Sequence, residues 1–298
     1  MTNQSILVTG AGGQLGQELR AWSALYPDWT FSFFDRAEMP LEDAAAMETA
    51  FADVQPDACI NAAAYTAVDK AESEPDQAFA VNAAGVERLA GLCRIHGAVL
   101  LHLSTDFVFD GTAKRPYKEQ DPVGPLNVYG LSKLEGERLS RLAHDRVVIV
   151  RTSWVYSFFG KNFVKTMMRL LNERPTLGVV DDQVGRPTYA ADLAKVLLDI
   201  LEAYFRLSPE NRAIDPRFNS TYHFADKGTV TWFELARAIA ESMQSTCVLR
   251  PLLTEEYPTP ALRPGYSVLD TSKIEHTFGV QPPPWKASLG RCLELLRR

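Results

Sequence analysis

A short apolar run, Ser5-Ile6-Leu7-Val8-Thr9, is stopped by Gly10-Ala11-Gly12-Gly13-Gln14-Leu15-Gly16, after which Leu15, Leu19 and Trp22 recur at helical spacing. No other stretch limits the fold as much, because a strand, a tight turn and a helix in that order have few uses. Gly10 permits the sharp exit from the strand, Gly13 lets a pyrophosphate approach the backbone, and Gly16 allows the helix to pack closely on the sheet. Unpaired amides at the helix start then face an anion. The position of the run between a strand and a helix predicts a dinucleotide site rather than a plain structural turn.

The rest of the amino-terminal half repeats the alternation. Thr30 to Phe34 reads as a second strand ending at Asp35, Ala58-Cys59-Ile60 as a third, Ala98 to Leu103 as a fourth and Val147 to Val150 as a fifth. Val81, Val86, Leu89, Ala90 and Leu92 mark a helix ending near Gly97. Continuous apolar strands separated by helices predict a doubly wound, Rossmann-like α/β parallel sheet buried on both faces. Asp35 then stands where a carboxylate accepts from the adenosine ribose hydroxyls, and Arg36 beside it offers a guanidinium to a 2′-phosphate. NADH and NADPH are both open on this evidence. The small side chains of Asn61-Ala62-Ala63-Ala64 would let a flat cofactor pass close to the backbone.

Composition excludes several classes. The chain of 298 residues has 46% hydrophobic residues, enough for a large core, and its net charge of −6 offers no long-range attraction to nucleic acid. No apolar stretch reaches a membrane span, and the amino terminus lacks the basic residues of a signal peptide. Cys59, Cys93, Cys247 and Cys292 form no CxxC pair, which fits a reducing cytoplasm. The five histidines show no metal-ligand spacing, and His102, within an apolar strand, reads as structural.

Downstream of Leu103-Ser104-Thr105-Asp106 lies Tyr129-Gly-Leu-Ser-Lys133. A phenol and an ammonium at i and i+4 share a helical face. A free tyrosine titrates near ~10, so a neighbouring cation is needed to make it a useful proton donor or acceptor at neutral pH. The Thr105 hydroxyl can polarise a substrate oxygen in the same pocket. The spacing alone also fits an ordinary exposed helix, and the glycine turn upstream decides between the two.

These elements in this order resemble the extended short-chain dehydrogenase/reductases. The strings Gly13-Gln14-Leu15-Gly16, Thr66-Ala67-Val68-Asp69-Lys70-Ala71-Glu72, Arg151-Thr152-Ser153-Trp154-Val155-Tyr156, Asn162 to Met167 and Pro258 to Pro264 narrow the resemblance to the dTDP-4-dehydrorhamnose reductase family. The resemblance runs nearly end to end. It implies NADPH- or NADH-dependent reduction of the C4 keto group of a dTDP-4-keto sugar, with Tyr129 as proton donor, Lys133 lowering its pKa and holding the nicotinamide ribose, and Thr105 at the substrate carbonyl. Gly10, Gly13, Gln14, Leu15, Gly16, Asp35, Ala63, Ala64, Tyr65, Thr66, Tyr129 and Lys133 fall at cofactor positions. Thr105, Asp106, Trp154, Asn162 and Arg263 fall at substrate positions, Trp154 over the sugar and the last two at the diphosphate.

Some members hold Mg2+ between subunits through three glutamates. Here Glu18 and, approximately, Glu294 match, whereas Ala191 takes another position, so the metal is left open. Pro40 replaces an aspartate common near the adenine. The resemblance implies a homodimer and a Rossmann domain over residues 1–155. Residues 156–298 mainly form a smaller, interleaved α/β substrate domain, with short segments returning to the first. Within this half, Leu193, Val196, Leu197, Ile200 and Leu201 mark a helix, Thr231 to Glu234 start another with a capping box, and residues 207–220 and 251–264 read as loops. Two other functions fit the same residues: a nucleotide-sugar epimerase or dehydratase with tightly held NAD, and a non-catalytic NAD(P)-binding regulatory subunit.

Overall fold

The computed structural model describes residues 3–297. The first half runs β1 (Gln4–Thr9), α1 (Gln14–Ser23), β2 (Trp29–Phe34), α2 (Ala44–Val54), β3 (Ala58–Asn61), α3 (Val68–Ala71), α4 (Pro75–Phe79), a π-helical turn at Ala80–Ala84, α5 (Gly85–His96), β4 (Val99–Thr105), α6 (Val128–Ala143) and β5 (Val147–Thr152). The second half adds β6 (Val155–Tyr156), α7 (Phe163–Glu173), β7 (Thr176–Val180), β8 (Val184–Gly185), β9 (Thr188–Tyr189), α8 (Ala190–Phe205), α9 (Pro209–Ile214), β10 (Thr221–His223), β11 (Val230–Thr231), α10 (Trp232–Met243), β12 (Val248–Leu252), α11 (Ser272–Phe278) and α12 (Trp285–Leu296).

Six strands form one parallel sheet in the order β10-β5-β4-β3-β1-β2. The chain leaves β1 toward β2 and returns on its other side at β3, so the strand order reverses there. In open α/β sheets ligands bind in the crevice beyond the carboxyl ends of the strands at that reversal. Ile6, Val8, Ile60, Leu101, Val148 and Val150 pack on one face against α1 and α8, while Leu7, Cys59, Leu100 and Ile149 pack on the other against Met47, Phe51, Leu89 and Cys93. Burial on both faces is why the strands read as unbroken apolar runs.

All five expected strands are present, four extended by one or two residues and β4 starting one residue later and ending two later than expected. The sixth, β10, comes from the second half and pairs with β5 from Thr221↔Ile149 to His223↔Arg151. A separate core joins α7, α10 and α12 through Met167, Leu171, Leu235, Ile239, Leu289 and Leu293. The expectation of a loop over 207–220 is corrected: α9 begins inside it, with Ser208 Oγ accepting from the Asn211 N–H and Pro209 in the first turn. Serine before proline is a helix-start signal that outweighs the polarity of the segment. The capping box at Thr231 is present, Thr231 and Glu234 each accepting the other's backbone N–H. Among the described residues no helix is long and apolar enough to cross a membrane.

Candidate active site

A cleft of about 400 Å3 opens at the strand reversal, lined by the turn after β1, by Ala62 to Thr66 after β3 and by Tyr129 and Lys133 on α6. Gly10 has φ of +68°, and a Cβ there would lie 2.7 Å from the backbone of Ala62 and Ala63, so only glycine lets the two strand ends meet. Gly13, Gln14 and Leu15 line the cleft and their amides open α1, whereas Gly16 sits beneath, against the backbone of Gly10 and Ala11. Ala63, Ala64, Tyr65 and Thr66 form the facing wall. Asp35 stands beside the glycine turn, its Cβ 3.8 Å from where a Gly12 Cβ would be. Small walls, a helix amino terminus and a strand-end carboxylate fit an elongated dinucleotide.

α6 brings the reactive groups together. Asn127 caps it, Oδ1 accepting from the Gly130 N–H at 2.8 Å, and a Cβ on Gly130 would run into the Phe107 carbonyl. That close approach sets Tyr129 against the end of β4. Burial pushes the Tyr129 phenol up to about 12; the adjacent Thr105 hydroxyl offsets this in part, and the Asp106 carboxylate adds to it. The phenol therefore holds its proton throughout the neutral range. Lys133 is 2% exposed and donates from Nζ to the Leu103 carbonyl at 2.6 Å. Burial brings its ammonium down to about 8, with Glu137 opposing the change. Burial is thus the largest influence on the Tyr129 phenol, and the Lys133 ammonium is engaged on β4.

His102, expected to be structural, is fully buried and faces Lys133 with Nε2 3.5 Å from Nζ. Its Nδ1 lies 3.0 Å from Asn61 Nδ2, and Asn61 Oδ1 accepts from Thr9 Oγ1 at 2.7 Å. This polar chain beneath the cleft joins residues on three strands, and no local sequence signal marks it. Asp106 is 2% exposed, with Oδ1 accepting from Thr105 Oγ1 at 3.1 Å and Oδ2 without a hydrogen-bond partner among the described residues. Burial raises its carboxyl to about 6, against the nearby hydroxyls of Ser267 and Thr105.

The other expected substrate residues have partners of their own. Trp154, at φ of +48°, stacks on Trp232 with ring centroids 3.5 Å apart and planes 10° from parallel. Asn162 caps α7, accepting from the Lys165 N–H at 3.0 Å and donating to Gln14 Oε1 at 2.9 Å, so it steadies the glycine turn and has little left for a diphosphate. An asparagine before an apolar helical run is a cap signal. Arg263 forms a two-pronged pair with Asp69, at 3.0 and 2.8 Å, which occupies the face expected to meet a diphosphate. Glu18 is buried and accepts from Ser157 Oγ at 2.6 Å, whereas Glu294 is exposed. Asp192, next to Ala191, is taken by Ser288 and Arg291. Among the described residues no group of three or more His, Cys, Asp or Glu side chains within the chain is placed to hold a metal.

A strand-reversal cleft with a glycine turn on one wall and a Tyr-x-x-x-Lys helix on the other defines an NAD(P)-binding oxidoreductase of the short-chain dehydrogenase/reductase type. Comparison with known proteins narrows the class. Residues 4–298 match the family described as RmlD substrate binding domain. The dTDP-4-dehydrorhamnose reductase of Aggregatibacter actinomycetemcomitans is 40% identical over 290 residues, covering 95% of this chain and 96% of that one. The crystal structure of a dTDP-4-dehydrorhamnose reductase from Clostridium acetobutylicum superimposes with a TM-score of 0.91 at 38% identity, over 98% of this chain and 99% of that one. The Bacillus anthracis enzyme, solved in complex with NADP, gives 0.90 at 34% identity, over 98% and 99%. The chain belongs to the dTDP-4-dehydrorhamnose reductase family.

Proposed function

We propose that this chain reduces the C4 keto group of dTDP-4-dehydro-L-rhamnose to give dTDP-L-rhamnose, using NADH or NADPH. The observation that carries this reading is that Tyr129, which lines the cleft, has the Thr105 hydroxyl beside its phenol, in a chain of this family. The coenzyme supplies the hydride. Thr105 donates to the sugar carbonyl oxygen and fixes its position, the β-branched side chain having few rotamers. Tyr129 passes its proton to that oxygen as negative charge develops. Lys133, one helical turn from Tyr129 on α6, holds the nicotinamide ribose, and Trp154 and Asp106 border the sugar. We assign residues 1–155 to coenzyme binding and 156–298 mainly to the sugar nucleotide, a division supported by the return of β10 to the first sheet.

A cytoplasmic location is supported by four free, buried cysteines. A homodimer is the assembly the resemblance implies. The direct test of the site is Tyr129→Phe. It should bind NADPH as the parent does and lose roughly 100-fold or more of its turnover; unchanged turnover would remove Tyr129 from the chemistry.

A further inference from the structure

The adenosine end of the cleft holds more charge than a ribose-binding carboxylate requires. Asp35 Oδ1 accepts from the N–H groups of Ala37 at 2.7 Å and Glu38 at 3.1 Å, and the Asp35 N–H donates to Glu38 Oε2 at 2.9 Å. This turn pins two carboxylates and leaves Arg36 projecting, its side chain 76% exposed along the cleft rim. Arg36 Nη2 donates to Glu42 Oε1 at 3.1 Å. The same oxygen accepts from Gln77 Nε2 at 3.0 Å, so Glu42 is anchored from α4 as well as by the guanidinium. Both Arg36 and Glu42 line the cleft.

Among the described residues Arg36 is the cation lining this rim, and a 2′-phosphate there also meets the carboxylates of Asp35, Glu38 and Glu42. Arg36 is the group that would fork onto its oxygens, yet Glu42 already holds one prong. The ribose hydroxyls of NADH need only an acceptor such as Asp35 and leave the Arg36–Glu42 pair intact. We propose that Glu42 is a specificity-determining residue that sets the coenzyme ratio: by holding Arg36 it makes recognition of NADPH conditional on breaking an ion pair, while recognition of NADH is not. This rests on the dinucleotide reading of the cleft.

Titration calorimetry of the whole chain with NADPH and with NADH, at low and at physiological salt, tests the proposal for the parent, Glu42→Gln and Arg36→Ala. Glu42→Gln should tighten NADPH by roughly threefold to fivefold, the range of an exposed ion pair, and leave NADH within about twofold. The gain should shrink as salt screens it. Arg36→Ala should weaken NADPH selectively and abolish the gain when combined with Glu42→Gln. Equal changes for both coenzymes, or none, would overturn the role of Glu42. A parent that bound neither coenzyme would overturn the reading of the cleft itself, a separate failure.

Discussion

Asp106 shows how a single residue trades stability for a poised site. Its carboxyl is buried with one oxygen unpartnered, and its pKa stands at about 6 rather than the ordinary 3.8. A group whose folded value is raised contributes stability in full below its unfolded value and loses it as pH rises through the folded one. As pH rises from below 4 through 6 to about 8, the ionising carboxyl should therefore come to cost about 3 kcal/mol. Asp106→Asn, neutral and of the same shape, should match the parent near pH 4 and exceed it at pH 8 in urea or thermal melts. Parallel profiles would show that Asp106 carries no such burden. At this scale the sequence exposed the groups whose meaning is local: Tyr129 and Lys133 one helical turn apart, Thr105 beside Asp106. It hid Asn61 and Lys133 as the partners of His102, and the approach of Ser267 to Asp106, because these lie far apart along the chain. Asn162 was legible, but its cap role is the better reading of the same signal.

At the scale of elements, the site depends on how closely α6 approaches the turn after β4 and the π-helical turn before α5. Gly130 rests on the Phe107 carbonyl, and Gly136 further along rests on that of Asn82. Backbone atoms cannot yield as a side-chain tip can, so Gly130→Ala must slide the helix and carry Tyr129 and Lys133 with it. The expected result is a loss of about 1–3 kcal/mol in urea melts, as for other overpacked contacts, and a fall in turnover of roughly tenfold or more, because small misplacements of reacting groups are costly. Wild-type stability and turnover together would mean that the helix is not held by this contact. The strands were readable because burial on both faces leaves runs of apolar residues. α9 was masked by polar composition, and β10, three residues long, is too short for periodicity to reveal.

Across the whole molecule, the two halves of the chain are tied by side-chain pairs far apart in sequence. Asn162 holds Gln14, Ser157 holds Glu18, and Arg263 holds Asp69, at separations of 148, 139 and 194 residues. Such contacts have no local pattern, which is why Arg263 read as a free cation available to a diphosphate. The overall architecture was legible all the same, since the strand–helix alternation and the glycine turn are local features repeated along the first half. The choice of a keto sugar lies in family membership, not in the Tyr129 and Lys133 pair, and it is the central claim. Incubating the purified chain with dTDP-4-dehydrorhamnose and either NADH or NADPH, while following coenzyme absorbance and identifying the sugar formed, tests it directly. One reduced coenzyme should be consumed for each dTDP-L-rhamnose produced. Sugar turnover without net coenzyme oxidation, as an epimerase or dehydratase would give, or no turnover at all, as a regulatory subunit would give, would contradict it.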